Sequence, residues 1–478
     1  MPMSILAPCL AALAALSLQG EPVPGLQSSP DRIRESALPA HYLQGHLDAK
    51  SIPQAMLEQD IPGLSMAFIA DGEIAWQMTF GYADLATAAP VTPDTVFAAA
   101  SLSKPVAAMM ALHLVDREAL SLDADVDDYL HDWQIPASAF TAEEPVTLRR
   151  LVGHTAGIAN HLWSAYDPGE PLPSIEAMLT GAPPSVDPPA AVEAVPGARY
   201  RYSNPGYAII QKLVQDATGE DFQSAAERIV FSPAGMTRST FAQPVPAPLN
   251  AAAATGYSNQ LHPYPDRLFP FLAAGGMWST PGDLARFMGT LMEDRATGAG
   301  HILSPELAAE VFAHSEGRLG FTRTPGADGE VLVEHWGSNA GFTSYMVGHL
   351  PGNQALVVMT NSDNGFNLMA SIARSVAHEY GWPLLEPTVY TEADLPAADL
   401  RRFAGTYGDG LAFSVADGAL TLAAPGDATA QTLIPVGPAT LISPSQNTTY
   451  QFIEANDGAI RWVRMTQGSG YNNDFPRN

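Results

Sequence analysis

The chain has 478 residues, 46% hydrophobic and 15% charged, which is enough to bury a large core in two or three domains, or in one large domain with an appendage. Its 50 acidic residues outnumber 23 basic ones, for a formal net charge of −27. Nucleic acids and anionic lipid surfaces bind through basic patches, so this balance excludes them as expected partners. The single cysteine is Cys9. Cleavage of an N-terminal leader that includes it would leave a mature protein without cysteine, which excludes disulfides, thiolate catalysis and cysteine-ligated metals.

Residues 1–19 predict the leader of an exported protein. Residues 5–18 are almost continuously apolar, and 14 residues are too few to span a bilayer. Ala15-Leu16-Ser17 offers a small-x-small cleavage site, although the basic residues that usually precede the apolar stretch are missing. We therefore expect a signal peptide, a periplasmic or secreted protein and no membrane span. A wrongly assigned start would instead leave the protein in the cytoplasm.

The first elements after the leader mix helix and strand. Residues 31–60 show a mostly helical pattern. Two apolar runs, 63–70 and 73–76, flank Asp71-Gly72, which predicts a β-hairpin. Residues 105–114 carry apolar side chains on every face, which indicates a buried helix.

The middle of the chain predicts one long loop and then a second set of elements. Residues 166–196 are rich in Pro, Gly, Ser and Ala and predict a loop with one helix near 175–179. Helices are expected at 282–293 and 367–380, and strands at 331–334, 343–347 and 354–359. Antiparallel strands at both ends, with mostly helices between, indicate an α/β (α+β) domain at 31–385 whose sheet is assembled from distant parts of the chain.

The C-terminal part differs in composition. Short alternating runs recur around Asp-Gly turns, at 411–416 with 419–422 and at 450–453 with 460–465. Such repeated short strands predict a small all-β barrel or sandwich at 395–478.

Ser101-Leu102-Ser103-Lys104 is the most informative tetrapeptide. On a helical turn, side chains three residues apart share a face, so the hydroxyl of Ser101 and the amine of Lys104 can meet. A serine hydroxyl becomes a good nucleophile only when a nearby base accepts its proton. Lysine can be that base when burial lowers its pKa.

Two further motifs lie far along the chain. Tyr202-Ser203-Asn204 supplies a phenol that can relay a proton and an amide that can bind both lysine and substrate. His335-Trp336-Gly337-Ser338 follows an apolar strand. Glycine in a strand permits close approach to the backbone, and the next N–H can then face an oxyanion. Taken singly, each motif also has an ordinary structural interpretation.

Together these motifs resemble the penicillin-recognising serine hydrolases, in particular the class C β-lactamase-like branch with its D-aminopeptidases, DD-peptidases and esterases. Segments 61–65, 81–84, 151–158, 274–279 and 335–342 look like the same family, and the resemblance covers roughly residues 31–385. It implies a β-lactamase/transpeptidase-like antiparallel sheet flanked by helices, with a helical subdomain. The tail, with Phe403-Ala404-Gly405-Thr406-Tyr407, is similar to the lipocalin-like domain attached to some of these hydrolases.

The resemblance also implies roles for individual residues. Ser101 would be acylated, Lys104 would take its proton, and Tyr202 would be the shared base that later activates water. Asn204 would orient Lys104 and the substrate amide. The backbone N–H groups of Ser101 and Ser338 would bind the oxyanion, with Gly337 permitting that approach and His335 replacing the lysine of many β-lactamases. His154 and Gly157 look like the family's loop beside the site and are interpreted as structural.

The histidine at position 335 bears on the substrate. Histidine is largely neutral at pH 7, whereas lysine offers a permanent cation for a substrate carboxylate. Esters, D-amino-acid amides and short peptides are therefore at least as plausible as penicillins, and β-lactamase or DD-peptidase activity remains an alternative. A non-catalytic cell-wall or ligand-binding protein with the same fold is a second alternative.

No cofactor or metal is expected. The twelve histidines show no His-Glu-x-x-His spacing, and the chain has no glycine-rich phosphate loop with its lysine. The Gly-x-Ser-x-Gly motif of α/β-hydrolases is also absent. The expected partner is a small-molecule or short-peptide substrate, and oligomeric state is left open.

Overall fold

A computed structural model of the protein describes residues 29–478 apart from 48, 162–163, 314–318, 326–330, 383–384, 426–428, 445–446 and 471. The predicted signal peptide at 1–19 lies outside the described residues. Within the described part of the chain, no helix is both long and apolar enough for a membrane span.

In the described residues, short helices and strands come first, a run of helices fills the middle, and a run of strands follows at the C-terminal end. The helices are α1 (Ser29–Glu35), α2 (Ile52–Glu58), α3 (Ser103–Asp116), α4 (Leu148–Val152), α5 (Ile175–Thr180), α6 (Asn204–Thr218), α7 (Phe222–Ala226), α8 (Ala247–Asn250), α9 (Pro281–Thr297), α10 (Pro305–Phe312), α11 (Gly365–Tyr380) and α12 (Ala397–Phe403). The strands of the first 390 residues are β1 (His41–Leu43), β2 (Gly63–Ala70), β3 (Glu73–Asp84), β4 (Ala89–Pro90), β5 (Phe97–Ala98), β6 (Trp278–Ser279), β7 (Thr322–Pro325), β8 (Val331–Asn339), β9 (Phe342–His349), β10 (Gln354–Thr360) and β11 (Thr388–Tyr390). The remaining strands are β12 (Gly405–Tyr407), β13 (Leu411–Ala416), β14 (Ala419–Ala423), β15 (Gln431–Gly437), β16 (Thr440–Ser443), β17 (Thr448–Glu454), β18 (Ile460–Gln467) and β19 (Asn472–Pro476).

The main sheet joins two distant parts of the chain, as expected. Its seven strands follow the order β4-β3-β2-β10-β9-β8-β7, with antiparallel neighbours. The predicted hairpin is confirmed, because Asp71 and Gly72 take φ values of 52° and 82° in the turn between β2 and β3. Every residue of β2 and β9 is buried, so these strands are covered on both faces.

The predicted mostly helical stretch at 31–60 is only partly helical. It contains α1 and α2, but β1 lies between them and pairs in parallel with β11, with His41 opposite Thr388. Helical periodicity cannot reveal this strand, because its partner is more than 300 residues away.

The buried helix predicted at 105–114 is confirmed as the central part of α3. From Ser103 to Leu114 every residue of this helix is buried. α3 packs against α6 and the segment Leu272–Gly276. A helix with apolar side chains on every face is stable only inside the protein, which accounts for the burial of the central part of α3. The predicted helices at 282–293 and 367–380 lie within α9 and α11.

The C-terminal strands form the predicted all-β barrel. β12 to β19 pair antiparallel in sequence order, and the first and last strands meet through Tyr407 and Arg477. Asn478 N–H donates to Thr406 O at 2.9 Å, which continues this closure. The interior is filled by aromatic rings, with Phe403 stacked on Phe452 at 4.4 Å between centroids. A packed interior of this kind is what a small barrel needs for stability.

The described residues divide into two compact units. One is Met56–Gly365, and the other combines residues 29–55 with Phe366–Asn478. The sequence-based boundaries of 31–385 and 395–478 remain predictions.

Candidate active site

The turn before α3 places Ser101 beside strands β8 and β9 of the main sheet. β5 pairs with β6, and Ala99 N–H donates to Met277 O at 2.8 Å, which ties the turn to the segment after Gly276. Ala100 then takes a φ of 50°, a left-handed conformation that costs a non-glycine residue about 1 kcal/mol. Ser103 Oγ donates to Ala100 O at 2.6 Å and holds this conformation.

Ser101 and Lys104 meet as the tetrapeptide predicted. Lys104 Nζ lies 3.0 Å from Ser101 Oγ and donates to Ala274 O at 2.5 Å. The Lys104 side chain is completely buried, and burial lowers its pKa well below the ordinary value. A neutral lysine amine has a lone pair, so it can accept the proton of the serine hydroxyl.

Tyr202 reaches the same oxygen from another part of the chain. Its hydroxyl donates to Ser101 Oγ at 2.9 Å, and Lys104 Nζ lies 4.8 Å from the centre of its ring. Burial raises the pKa of Tyr202 above its ordinary value, which favours the neutral phenol. A neutral phenol can both donate and accept a hydrogen bond, and so can pass a proton along.

His335 lies on β8 with its side chain buried. Its Nδ1 contacts Trp336 O at 2.8 Å. Because a carbonyl oxygen only accepts, Nδ1 carries the hydrogen and Nε2 is the acceptor. Burial is the main cause that lowers the pKa of His335, to about 3. The imidazole is therefore neutral at neutral pH, as expected from the sequence.

Gly337 brings β8 directly against the Ser101 turn. A side-chain carbon at this glycine would lie 2.7 Å from Ala99 O, which is closer than real side-chain carbons come to another atom, and 3.0 Å from Ser101 N, which is a tight contact. Ser344 Oγ, on β9, donates to the same Ala99 O at 2.8 Å. The next residue, Ser338, is exposed to solvent. Glycine is thus required by the close approach of the two backbones.

Asn204 has partners other than the one expected. It is the first residue of α6, and its side-chain Nδ2 donates to His161 O at 3.3 Å rather than to Lys104. Its N–H donates to Asn160 Oδ1 at 3.1 Å. A role for Asn204 toward a bound substrate stays a prediction.

Sequence reasoning missed some of the groups that hold the site. Ala274 supplies the carbonyl that binds Lys104, and Ser103 supports both Ala100 and, through a 3.0 Å bond, the N–H of Met277. Ala274 begins a segment that carried the family resemblance, but a backbone carbonyl leaves no signature in the residue type. Among the described residues, no cluster of His, Cys, Asp or Glu could hold a metal ion.

Comparison with known proteins identifies the family. The family model named Beta-lactamase matches residues 46–380, so the chain belongs to the β-lactamase family of serine hydrolases. Esterase EstB of Burkholderia gladioli is 31% identical over 214 residues, which cover 42% of this chain and 52% of the esterase. Penicillin-binding protein 4 of Amycolatopsis lactamdurans is 27% identical over 370 residues, which cover 73% of this chain and 94% of that protein.

Solved structures share the fold. The octameric penicillin-binding protein homologue from Pyrococcus abyssi superimposes with a TM-score of 0.61 at 22% identity, covering 86% of this chain and 96% of that one. The chain spans about half of the Burkholderia esterase but nearly all of the Amycolatopsis protein.

Proposed function

We propose that this protein hydrolyses esters and amides through an acyl-enzyme on Ser101. Its preferred substrates carry no charged group next to the bond that is cleaved. One observation carries the proposal: the Ser101 hydroxyl contacts both a buried lysine amine and a buried phenol, at 3.0 Å and 2.9 Å. Nucleophile and base within hydrogen-bonding reach are the signature of covalent catalysis.

Acylation uses Lys104 as the base. The neutral amine takes the Ser101 proton while Oγ attacks the carbonyl carbon of the substrate. The negative charge that develops on the carbonyl oxygen is received by the N–H groups of Ser101 and Ser338, and such donors contribute about 10²–10³ in rate. Tyr202 gives its proton to the leaving group and recovers one from the Lys104 ammonium, so protons balance.

Deacylation uses the phenol as a relay. A water molecule attacks the acyl carbon and passes a proton to the hydroxyl oxygen of Tyr202. Tyr202 in turn gives its own proton to Ser101 Oγ, along the 2.9 Å hydrogen bond, as that oxygen leaves. The acid is released and Ser101 is restored with no net change in protonation.

The neutral His335 supports an uncharged substrate. At the place where the family resemblance puts a lysine, this chain has a buried imidazole whose pKa is lowered to about 3. It offers no cation to a substrate carboxylate, whereas its Nε2 can accept a hydrogen bond from substrate or water. The 31% identity to an esterase agrees with this preference. A penicillin or a D-Ala-D-Ala peptide carries a carboxylate and should be a poorer substrate.

The test combines active-site labelling with a substrate panel. A fluorophosphonate probe should label the native protein, and Ser101→Ala should lose both labelling and turnover. Ser232→Ala is the control for labelling, since it removes an exposed hydroxyl that bonds Glu227, away from the Ser101 turn. Turnover by the Ser101→Ala variant would refute the assignment, and absence of any label or burst with p-nitrophenyl acetate would favour a binding protein. A p-nitrophenyl ester, a D-amino-acid amide and a chromogenic cephalosporin then rank the substrates.

We also propose that the protein is exported and that its hydrolase and barrel domains span 31–385 and 395–478. Penicillin-binding relatives and the apolar stretch at residues 5–18 support export. Cell fractionation with N-terminal sequencing of the mature protein tests it. A cytoplasmic protein with an intact N-terminus would contradict the proposal.

A further inference from the structure

His154 is a buried residue that the catalytic steps above do not use. It follows α4 and is 8% exposed, with a φ of 58°. The left-handed conformation costs a non-glycine residue about 1 kcal/mol, so other contacts must hold it. The contacts that hold His154 are with Tyr202 and with the residues on either side of it.

Tyr202 depends on contacts from outside its own segment. Residues 200–203 form neither helix nor strand. The phenol nevertheless has to sit 2.9 Å from Ser101 Oγ. A displacement of about 1 Å at a reacting group can cost about 10²-fold in rate. Whatever fixes this segment therefore controls catalysis.

His154 binds the backbone on both sides of Tyr202. Its carbonyl oxygen accepts from Arg201 N–H at 2.7 Å, and its side-chain Nδ1 accepts from Ser203 N–H at 3.1 Å. The imidazole also packs on the phenol, with 4.4 Å between ring centres and 32° between planes. One residue thus fixes both the chain and the ring of the proton relay.

The left-handed backbone of His154 makes this possible. It turns the chain after α4 so that the carbonyl and the side chain of the same residue face the same passing segment. Because Nδ1 accepts a hydrogen bond from a backbone N–H, the imidazole is neutral with its hydrogen on Nε2.

We infer that His154 is a positioning residue for Tyr202, holding the phenol at hydrogen-bonding distance from Ser101. The inference rests on the proposed function, since it gives Tyr202 a part in proton transfer. It assigns His154 no contact with substrate. Asparagine tolerates the left-handed backbone and keeps a side-chain acceptor without the ring, so His154→Asn is the mildest informative variant.

The experiment is a double-mutant cycle with p-nitrophenyl acetate, comparing the native protein, His154→Asn, Tyr202→Phe and the double variant. His154→Asn should lower kcat about 10- to 100-fold, with KM changed less than about 2-fold. In the Tyr202→Phe background it should lower kcat less than about 2-fold, because the hydroxyl it positions is gone. Equal effects in both backgrounds would overturn the inference.

Tyr207→Phe is the matched control. Tyr207 packs on His154 at 5.1 Å and its hydroxyl donates to Val152 O at 3.1 Å, so this variant removes one buried hydrogen bond from the same cluster. Its kcat should change less than about 3-fold. A loss as large as that of His154→Asn would mean general loosening and would also overturn the inference.

Two measurements keep the test decisive. If His154→Asn does not fold, His154→Gln supplies the acceptor one bond further out, in the same cycle. In the unsubstituted protein, nitrogen NMR should show His154 with Nδ1 unprotonated, and a protonated Nδ1 contradicts the inference without any variant. Failure of the proposed function is recognised separately, by turnover in Ser101→Ala.

Discussion

Burial of Lys104 carries an electrostatic cost that depends on pH. Its amine is fully buried, and its pKa is lowered by that burial. In a pH range below the ordinary pKa of about 10.4, the unfolded chain therefore binds a proton at this residue that the folded protein does not bind. The free energy of unfolding then rises with pH, with a slope from this residue of up to about 1.4 kcal/mol per pH unit.

Lys104→Met removes this dependence and the base together. We expect the free energy of unfolding of the variant minus that of the native protein to grow as the pH falls from about 9 to about 6. Only the native protein carries the cost of neutralising the lysine on folding, and that cost increases as the pH falls. Urea unfolding at several pH values measures the difference. A difference that does not vary with pH would contradict the prediction. Acylation should also fall about 10²–10⁴-fold.

His335 should not contribute to the pH profile near neutrality. Its pKa is lowered to about 3, mainly by burial, so it stays neutral above about pH 4 and its ordinary transition near pH 6.5 is absent. We expect kcat/KM for a neutral ester to have the same shape between about pH 5 and 8 in the native protein and in His335→Asn. An inflection near pH 6.5 that the substitution removes would show that the imidazole titrates in the working range.

At the scale of elements, the contact between β8 and the Ser101 turn is the most demanding feature. A methyl group at Gly337 would lie 2.3 Å from Ser344 Oγ and 2.7 Å from Ala99 O, and both of these atoms belong to the hydrogen bond that supports the turn. The strand has to move away, and the N–H of the following residue moves with it.

Gly337→Ala should therefore lower kcat/KM about 10²–10³-fold, the usual cost of losing an oxyanion donor. Gly282→Ala is the matched control, because the added carbon would meet only Gln77 at an ordinary 3.4 Å, and alanine is favoured over glycine inside α9. Steady-state kinetics with p-nitrophenyl acetate compare the two. Similar rates in both variants would show that the close approach at Gly337 does not matter for catalysis.

At the scale of the whole molecule, the two compact units should respond separately to core substitutions. Phe452 is 2% exposed in the barrel, and Leu291 is fully buried in α9 of the other unit. Removing either large side chain costs about 2–5 kcal/mol of the stability of its own core.

Calorimetry and labelling distinguish the two variants. Phe452→Ala should lower the midpoint temperature of one thermal transition, while the fluorophosphonate probe still labels Ser101 at moderate temperature. Leu291→Ala should lower the midpoint temperature of the other transition, and this variant should lose labelling at a lower temperature than the native protein does. A single transition that moves equally in both variants would show that the molecule unfolds as one cooperative body.

Much of this molecule follows from local sequence patterns. The Asp71-Gly72 hairpin, the buried helix α3 and the short alternating strands of the barrel each depend on neighbours within a few residues, so residue type and spacing were sufficient to predict them. Ser101 and Lys104 meet for the same reason, since one helical turn sets their separation. The strand β1 was missed because its partner is distant in sequence.

Only the tertiary structure decided which residues far apart in the sequence come into contact. It brings Tyr202 to Ser101 across 101 residues, Ala274 to Lys104 across 170, and His154 to Ser203 across 49. Two of these contacts use a backbone carbonyl or N–H, which nearly every residue type supplies, so the amino-acid sequence alone does not reveal them. The pKa values of Lys104, Tyr202 and His335 were decided there too, because burial depends on the whole fold around a side chain.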